Sequence, residues 1–259
     1  MKLEVMLSVM NVKKPDLTKM NITSKCTVIN QCKKNNYEQY KNFNIYSYNE
    51  VGTSNSRNRA LKHITEDIVL ICDDDVIYTN TYEQDALNEF KNNPKADVII
   101  FNYDVKNRNK RVIKKRKKLH IYNSLNYASY NIAFKKDSIL NNNIKFDILF
   151  GPGAKFSHGE DSIFIKDLFK NNLKVYSSPI YLGTVYNNNS TWFDGYNEKY
   201  FYDKGALFTA ISKKKRHLLM IQYLLRHRNI LKKYQFIKTY KIMLKGSKEY
   251  LNEKRTTSK

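Results

Sequence analysis

The sequence has few of the residues that mark disulfide-bonded, fibrous or linker-rich proteins. Its 259 residues include only three cysteines, four prolines and eight glycines. The cysteines, Cys26, Cys32 and Cys72, form no Cys-x-x-Cys pair, which is typical of free thiols in a reducing compartment. They also lack the neighbouring ligands that a zinc site needs. We therefore expect neither a disulfide scaffold nor a collagen-like or linker-rich chain.

Long apolar runs and an N-terminal signal are missing as well. The longest apolar segment, residues 218–225, is far shorter than the roughly 18 residues that a membrane-spanning helix requires. Residues 1–5 carry charge within their apolar run and lack the layout of a secretory signal. We therefore expect a cytoplasmic protein, which can associate peripherally with the inner face of the cell membrane.

Positive charge is plentiful but unevenly distributed. The formal net charge is +22. Residues 105–118 contain nine Lys or Arg and no acid, and residues 213–259 contain fifteen against two glutamates, so these segments account for +9 and +13. Such segments suit nucleic acid, an anionic membrane surface or an anionic substrate. Because the C-terminal segment is also amphipathic, it either lies on a membrane or caps the domain with a solvated charged face.

Strand and helix patterns alternate along the first hundred residues. Strands are predicted at 3–9, 26–29, 43–46, 68–72 and 98–101, and helices at 37–40, 56–64 and 81–92. Further on, strands are predicted at 131–134 and 173–176, and helices at 136–140, 161–171 and beyond 204. The alternation predicts a mostly parallel sheet with helices on both faces and a ligand site at the carboxyl ends of its strands. Those ends contain Asn11, Asn30, Gln31, the loop at Gly52, and Asp73 to Asp75.

The apolar strand 68–72 runs directly into three carboxylates, Asp73, Asp74 and Asp75. Adjacent anions repel one another and resist desolvation. A positive group is therefore expected there, and a divalent cation with oxygen ligands is the simplest one. The alternative is an ordinary polar turn, in which aspartate is favoured.

Two predicted helix starts carry polar residues that are suited to ligand binding or catalysis. Residues 52–56 lead into Arg57, and a helix N-terminus beside an arginine suits a phosphate or a nucleobase edge. The alternative is an ordinary capped helix. Later, Glu160 and Asp161 open a helix after a glycine-rich loop, where they either complement the helix dipole or supply a general base. The preceding His158 is either a substrate contact or a surface histidine.

Taken in order, these features resemble the family 2 glycosyltransferases. The matching segments are Gly52-Thr-Ser-Asn-Ser-Arg57-Asn58-Arg-Ala-Leu, Leu70-Ile-Cys-Asp73-Asp74-Asp75-Val, and Phe150-Gly-Pro-Gly followed by Gly159-Glu160-Asp161-Ser-Ile-Phe. The resemblance covers residues 3–205 and implies the α/β fold called GT-A, a single domain with a mostly parallel Rossmann-like sheet flanked by helices. It implies a domain over 1–204, with a nucleotide-binding half at 1–104 and an acceptor half at 119–204. A basic amphipathic helical tail, 205–259, would follow.

The resemblance also implies a role for each matching residue. Asp73 and Asp75 would form an Asp-x-Asp motif that binds Mn²⁺ or Mg²⁺ with a nucleotide-sugar donor. Asp161 would be the catalytic base, deprotonating a glycan or lipid-linked saccharide in one inverting displacement, as in bacterial capsule or surface polysaccharide synthesis. The remaining predicted contacts are Asn11, Asn30, Arg57, Asn58, Asp73 and Asp74 to the donor, and Gly153, His158, Gly159, Glu160 and Trp192 to the acceptor. Trp192 is either a core residue or a platform for sugar stacking.

Two positions depart from the family pattern, and three alternatives stay open. Asn30-Gln31 stands where the family often has an acid, and residues 8–11 replace a turn that usually contains proline, so the nucleotide is left open. The alternatives are a nucleotidyltransferase of related fold, a basic nucleic-acid-binding protein and a catalytically inactive family member. No nucleic-acid motif accompanies the positive charge, so no nucleic acid partner is expected. The oligomeric state is left open.

Overall fold

The computed structural model describes residues 1–106, 112–186, 195–231 and 235–256. Within these ranges, ten strands form one mixed sheet. They are β1 Leu3–Met10, β2 Lys25–Gln31, β3 Asn36–Gln39, β4 Phe43–Tyr48, β5 Ile68–Asp73, β6 Val76–Tyr78, β7 Val98–Val105, β8 Lys117–Lys118, β9 Ile132–Lys135 and β10 Val175–Val185. The spatial order is β3-β4-β2-β1-β5-β9-β7-β10-β6, and β8 pairs with β10.

Eight α-helices accompany the sheet in the same ranges. They are α1 Thr53–Ala60, α2 Tyr82–Asn92, α3 Lys136–Leu140, α4 Glu160–Lys170, α5 Glu198–Ile211, α6 Arg216–Arg226, α7 Arg228–Leu231 and α8 Phe236–Thr256. Short 3-10 turns lie at Ile121–Asn123 and Ser129–Asn131. None of the helices in the described parts of the chain combines the length and apolar character needed to cross a bilayer.

The sheet confirms the predicted α/β architecture and adds one antiparallel strand at its centre. Strands β4, β2, β1 and β5 pair in parallel, and β7 pairs in parallel with β10. Strand β9 lies between β5 and β7 and is antiparallel to both. Strand β9 therefore separates β5 from β7, which a simple βαβ crossover would have placed side by side.

Strand β5 is apolar throughout because it is covered on both faces. Successive side chains of a strand point to opposite sides of the sheet. Ile68, Leu70 and Cys72 belong to the apolar cluster on one face. Val69 and Ile71 belong to the cluster on the other face. The strand is thus buried up to its carboxyl end, where the acidic triplet begins.

The prediction of a helix at 37–40 was wrong. Residues 37–39 belong to β3, which pairs antiparallel with β4 in a hairpin at the edge of the sheet, and Tyr40 follows the strand. Tyr37 packs against Tyr46 of β4 with ring centroids 4.9 Å apart, and Tyr40 stacks on Phe43 at 4.5 Å. The cross-strand pair of Tyr37 and Tyr46 stabilises β3, whose mostly polar sequence does not by itself predict a strand.

Two of the C-terminal helices, α5 and α8, cross in close contact. A Cβ atom added to Gly205 would lie 1.8 Å from the carbonyl oxygen of Met243, and one added to Gly246 would lie 1.9 Å from that of Tyr202. Helices approach this closely only where a side chain is missing. The boundary that the resemblance implies between residues 204 and 205 falls inside α5, because α5 starts at residue 198.

Replacing Gly246 by alanine is expected to destabilise the protein, although the same change at an exposed helical position stabilises one. The added methyl group would force α5 and α8 apart. We expect the free energy of unfolding, measured by urea denaturation, to fall by about 1–3 kcal/mol. Lys248→Ala, at an exposed position of the same helix, is the control and should change it by less than about 0.5 kcal/mol. Equal effects of the two substitutions would contradict the close crossing.

Candidate active site

Three carboxylates from distant parts of the chain meet around one arginine at the carboxyl end of the sheet. Asp73 is the last residue of β5, and Glu160 and Asp161 are the first two residues of α4. The side chain of Arg57 projects from α1, and its Nη2 lies 2.9 Å from Asp73 Oδ1. Its Nη1 lies 3.3 Å from Glu160 Oε1 and 3.1 Å from Asp161 Oδ1. The structure thus joins the predicted donor and acceptor sides through a single guanidinium group.

The guanidinium group of Arg57 is buried, and its charge is stabilised by these acids. Only 3% of the side chain is exposed. Burial alone would lower the pKa of Arg57, but the charges of Asp73, Asp161 and Glu160 raise it. The ring of Phe146 lies 5.3 Å from the centre of the guanidinium group. Arg57 therefore supplies part of the positive charge that the acidic triplet was expected to need.

The two acids at the start of α4 have raised pKa values. Burial, followed by the charge of Asp161, raises the pKa of Glu160. Burial also raises the pKa of Asp161, although Arg57 and hydrogen bonds from Ser129 oppose that shift. A raised pKa makes a carboxylate a better proton acceptor. Because its side chain is 23% exposed against 9% for Glu160, Asp161 is the acid better placed to meet a substrate.

The start of α1 is bound to other parts of the protein. The amide of Gly52 donates a hydrogen bond of 2.7 Å to Gln31 Oε1. The amide of Thr53 donates one of 3.1 Å to the carbonyl oxygen of Pro152. This helix start was predicted to suit a phosphate, but these two amides already donate hydrogen bonds within the protein. They instead tie α1 to β2 and to the glycine-rich loop before α4.

The three asparagines predicted to bind the donor have different environments. The buried amide of Asn30 exchanges hydrogen bonds with the backbone N and O of Val12, at 3.2 and 2.7 Å. The amide of Asn58 does the same with the backbone of Phe146, at 2.8 Å in both directions. Asn11 is exposed at the end of β1, with φ of 53°. Asn30 and Asn58 therefore position backbone segments, and Asn11 is the one of the three whose side chain is at the surface.

His158 and Gly159 connect the glycine-rich loop to α5. The ring of His158 stacks on Tyr200, with centroids 5.1 Å apart. Burial, together with two lysines of α5, lowers the pKa of His158 to about 3, so the ring is neutral at physiological pH. Gly159 has φ of 112°, and a Cβ there would lie 2.7 Å from Leu207 Cδ1. Glycine is thus required for α4 to begin directly against α5.

The remaining two acceptor residues can be placed only in part. Gly153 has φ of 81°, and a Cβ there would lie 2.8 Å from Val51 Cγ1, so it packs against the segment before α1. Trp192 lies outside the described residues, and its sugar contact stays a prediction.

The glycine-rich loop is also held by the C-terminal helix. Tyr250 Oη donates to Asp147 Oδ2 at 3.0 Å, and Lys254 lies 3.0 Å from the same oxygen. Lys155 in the loop forms ion pairs with two glutamates of α8. The segment predicted as a tail therefore supports the chain immediately before α4.

The acids near the end of β5 fit a divalent ion that is shared with a bound phosphate. Among the described residues, no three His, Cys, Asp or Glu side chains form a cluster that could hold a metal ion by themselves. Asp73 is 31% exposed, and Asp75 follows in the turn to β6, where its carbonyl oxygen accepts a 2.9 Å hydrogen bond from the amide of Tyr186. Mg²⁺ is usually bound by one or two carboxylates together with substrate phosphates. Asp73 and Asp75 match this arrangement.

Reasoning from the sequence missed two residues that support the site, Ser129 and Phe146. Ser129 hydrogen-bonds Asp161, and Phe146 covers Arg57. Each lies far along the chain from the residue it supports, and the buried aromatic character of Phe146 indicates only packing. Gln31 was placed at the ligand end of the sheet, but its contact with the start of α1 was not predicted.

Comparison with known proteins identifies the family of the chain. The family model described as Glycosyl transferase family 2 matches residues 27–157, just over half of the chain. The protein therefore belongs to glycosyl transferase family 2. No curated protein sequence matches it.

Solved structures share its fold. S. aureus TarS 1-349 in complex with UDP-GlcNAc superposes with a TM-score of 0.64 at 16% sequence identity, over 88% of this chain and 72% of that one. The mannosyltransferase PcManGT from Pyrobaculum calidifontis in complex with GDP-Man and Mn²⁺ gives a TM-score of 0.53 at 11% identity, over 95% of this chain and 86% of that one. These likenesses confirm the GT-A-like fold.

Removing the charge of Arg57 is expected to leave three buried or half-buried carboxylates without a counterion. We expect Arg57→Gln to lower the free energy of unfolding at pH 8 by about 3–5 kcal/mol. The loss should be smaller at pH 5, because acids with raised pKa values take up protons as the pH falls and then no longer repel one another. Urea denaturation at the two pH values measures both effects.

The matched control is Arg59→Gln in the same helix. Arg59 pairs with Glu50 at 3.0 Å, but its side chain is 38% exposed. Exposed pairs are worth about 0–1 kcal/mol, so the control should lose little stability at either pH. If the two variants were equally stable, Arg57 would not be the counterion of the site.

Proposed function

We propose that this protein is an inverting glycosyltransferase that moves a sugar from a nucleotide-diphosphate donor to a hydroxyl group of a glycan or lipid-linked saccharide. The observation that carries the proposal is the Arg57 cluster, which holds Asp73 of the acidic triplet and Asp161 of α4 on one guanidinium group. An enzyme of this class needs a donor side and a base within reach of one sugar carbon. The fold shared with structures that contain UDP-GlcNAc, or GDP-Man and Mn²⁺, supports the choice of donor.

On the donor side, Asp73 and Asp75 would hold Mn²⁺ or Mg²⁺ together with the diphosphate. Such an ion, when bound, stabilises the charge that develops on the departing nucleoside diphosphate. Asp74 between them and the exposed Asn11 at the end of β1 remain proposed donor contacts. Because Asn30 and Asn58 bind the backbone, we assign them the positioning of the segments that line this side.

On the acceptor side, Asp161 would remove the proton from the acceptor hydroxyl group. The freed oxygen attacks C1 of the sugar from the face opposite the diphosphate, so the new glycosidic bond forms as the bond from C1 to the phosphate oxygen breaks. The configuration at C1 is inverted, and no carboxylate nucleophile is needed. Arg57 is a positioning residue here, since it orients Asp161 and opposes the effect of burial on its pKa.

The wider setting follows from the family resemblance and is part of the proposal. The acceptor would be a precursor of a bacterial capsule or another surface polysaccharide. His158, Gly159 and Glu160 would border it, with His158 acting as a neutral ring rather than a cation. The reaction would take place in the cytoplasm.

The proposal is tested by the products formed from UDP- and GDP-sugars with Mn²⁺ present. We expect release of a nucleoside diphosphate, and Asp161→Asn should lower kcat by about 10²–10⁴-fold, because proton transfer is lost. The affinity for the donor nucleotide, measured by calorimetry, should change little.

Asp167→Asn is the control for that substitution. Asp167 lies on the same helix, where it pairs with Lys166 at 2.8 Å, and this change should leave kcat within about twofold because the pair is near the surface. Release of pyrophosphate would indicate a nucleotidyltransferase instead. Full turnover by Asp161→Asn would remove Asp161 as the base.

The raised pKa of Asp161 predicts a pH dependence. The base acts in its deprotonated form, so kcat/KM should fall as the pH drops through a pKa above the usual value of about 3.9 for aspartate. Arg57→Gln should move this acid limb to higher pH, because the opposing positive charge is lost. A pH–rate profile measures both. A limb at the ordinary aspartate pKa, or one that does not move in the variant, would contradict the assignment.

A further inference from the structure

Helix α6 has an apolar face that points to solvent. Leu218, Ile221 and Leu225 are 63%, 39% and 47% exposed, and their spacing places them along one side of the helix. The opposite side contains Met220 and Leu224, which are fully buried in the cluster formed with α5 and α8. The helix is thus held in place by its inner side, and packing within the described chain leaves the outer apolar side uncovered.

The first turn of α8, whose Tyr240 contacts the start of α6, carries further exposed apolar side chains. His217 at the start of α6 lies 2.8 Å from the hydroxyl group of Tyr240. Phe236 and Ile237 are one turn before Tyr240 and are 38% and 68% exposed. The five apolar side chains Leu218, Ile221, Leu225, Phe236 and Ile237 are referred to as the α6 surface.

Basic residues border the α6 surface, and the acid Glu198 of α5 pairs at 3.1 Å with Lys238, which follows Ile237. Lys213, Lys214 and Lys215 are exposed immediately before α6, and Arg226 and Arg228 are exposed at its end. The sequence from 213 to 248 contains no Asp or Glu. An apolar stripe with basic residues at both ends matches the chemistry of an anionic bilayer, where acyl chains meet phosphate groups.

The same features disfavour the other occupants. A second copy of the chain would bring two strongly basic segments together, which costs free energy by like-charge repulsion. A nucleic acid would neutralise the lysines but would leave the apolar side chains in contact with water. An anionic lipid surface can contact both the apolar side chains and the basic residues.

We propose that the α6 surface docks the protein on an anionic lipid bilayer. Leu218, Ile221 and Leu225 enter the boundary between head groups and acyl chains, and the flanking lysines and arginines bind lipid phosphates. The helix lies in the plane of the surface and does not cross it.

Docking would bring the acceptor side of the active site close to the membrane. Tyr223 of α6 lies 2.8 Å, oxygen to oxygen, from Tyr200 of α5, whose ring stacks on His158. His158 is two residues before Glu160. If the proposed function is correct, a lipid-linked acceptor is therefore presented near Asp161 without leaving the bilayer surface. The docking itself does not depend on the proposed function.

The test is co-sedimentation of the full chain with vesicles. The protein should bind vesicles of phosphatidylglycerol and phosphatidylcholine, bind poorly to pure phosphatidylcholine, and dissociate in high salt. Leu218→Asn/Leu225→Asn should weaken the partition coefficient by about tenfold per leucine. Lys213→Gln/Lys214→Gln/Lys215→Gln should weaken it by about 100-fold in total.

Matched variants elsewhere on the molecule serve as controls. Leu140→Asn/Ile148→Asn removes two apolar side chains that are 41% and 54% exposed. Lys33→Gln/Lys34→Gln/Lys41→Gln removes three exposed lysines of the sheet domain. Both controls should bind vesicles like the wild type. Circular dichroism and thermal unfolding establish that every variant is folded.

Three outcomes would overturn the proposal. The first is a wild-type chain that does not bind anionic vesicles. The second is equal loss of binding in the α6 variants and their controls, which would reduce the effect to overall charge. The third is a wild-type dimer, detected by sedimentation equilibrium without vesicles, that the Leu218→Asn/Leu225→Asn variant does not form. A second copy of the chain would then cover the α6 surface. Donor hydrolysis in solution should be unchanged in the α6 variants, so failure of docking is distinguishable from failure of the proposed function.

Discussion

The arrangement of the site depends on one buried guanidinium group. Arg57 stands between the end of β5 and the start of α4, and it binds an acid from each. A buried ion pair adds little net stability, but removing one partner is costly because the remaining charges are left desolvated. Here three acids share one cation, so the position of each acid depends on the other two. The hydrogen bonds of Gln31, Asn58 and Pro152 hold α1 so that Arg57 meets them.

The C-terminal helices take part in this arrangement. Helix α8 binds Asp147, just before the glycine-rich loop of residues 151–159, and Lys155 within it, and α5 packs under Gly159. The close crossing of α5 and α8 holds these two helices together. Charge alone would describe this part of the chain as an appendage. The basic residues of the same region stay at the surface, where α6 exposes its apolar side. One helical layer thus both supports the glycine-rich loop and carries the surface that we propose binds lipid.

Several parts of the fold and site could be read from residue patterns, and others could not. Strand β5 and its acidic end were recognisable because burial on both faces demands an unbroken apolar run. Strand β3 was mistaken for a helix, since its stability comes from Tyr46 across the hairpin rather than from its own residues. Asn30 and Asn58 looked like ligand contacts, but a polar side chain at a strand or helix end can equally satisfy a backbone amide. The structure brings Asp73 and Asp161 together as the order of motifs indicated.

The sequence by itself determined the class of fold, the location of the acidic triplet and the presence of a helix that opens with two acids, because these depend on local periodicity and on short motifs. Only the tertiary structure decided which positive group meets the acids, which asparagines are already bonded, and which face of α6 remains open. Arg57 and Asp161 are 104 residues apart in the chain, and no local pattern records a contact at that separation. The charge balance of the site is a property of distances in space, and the chain acquires those distances only when its layers pack.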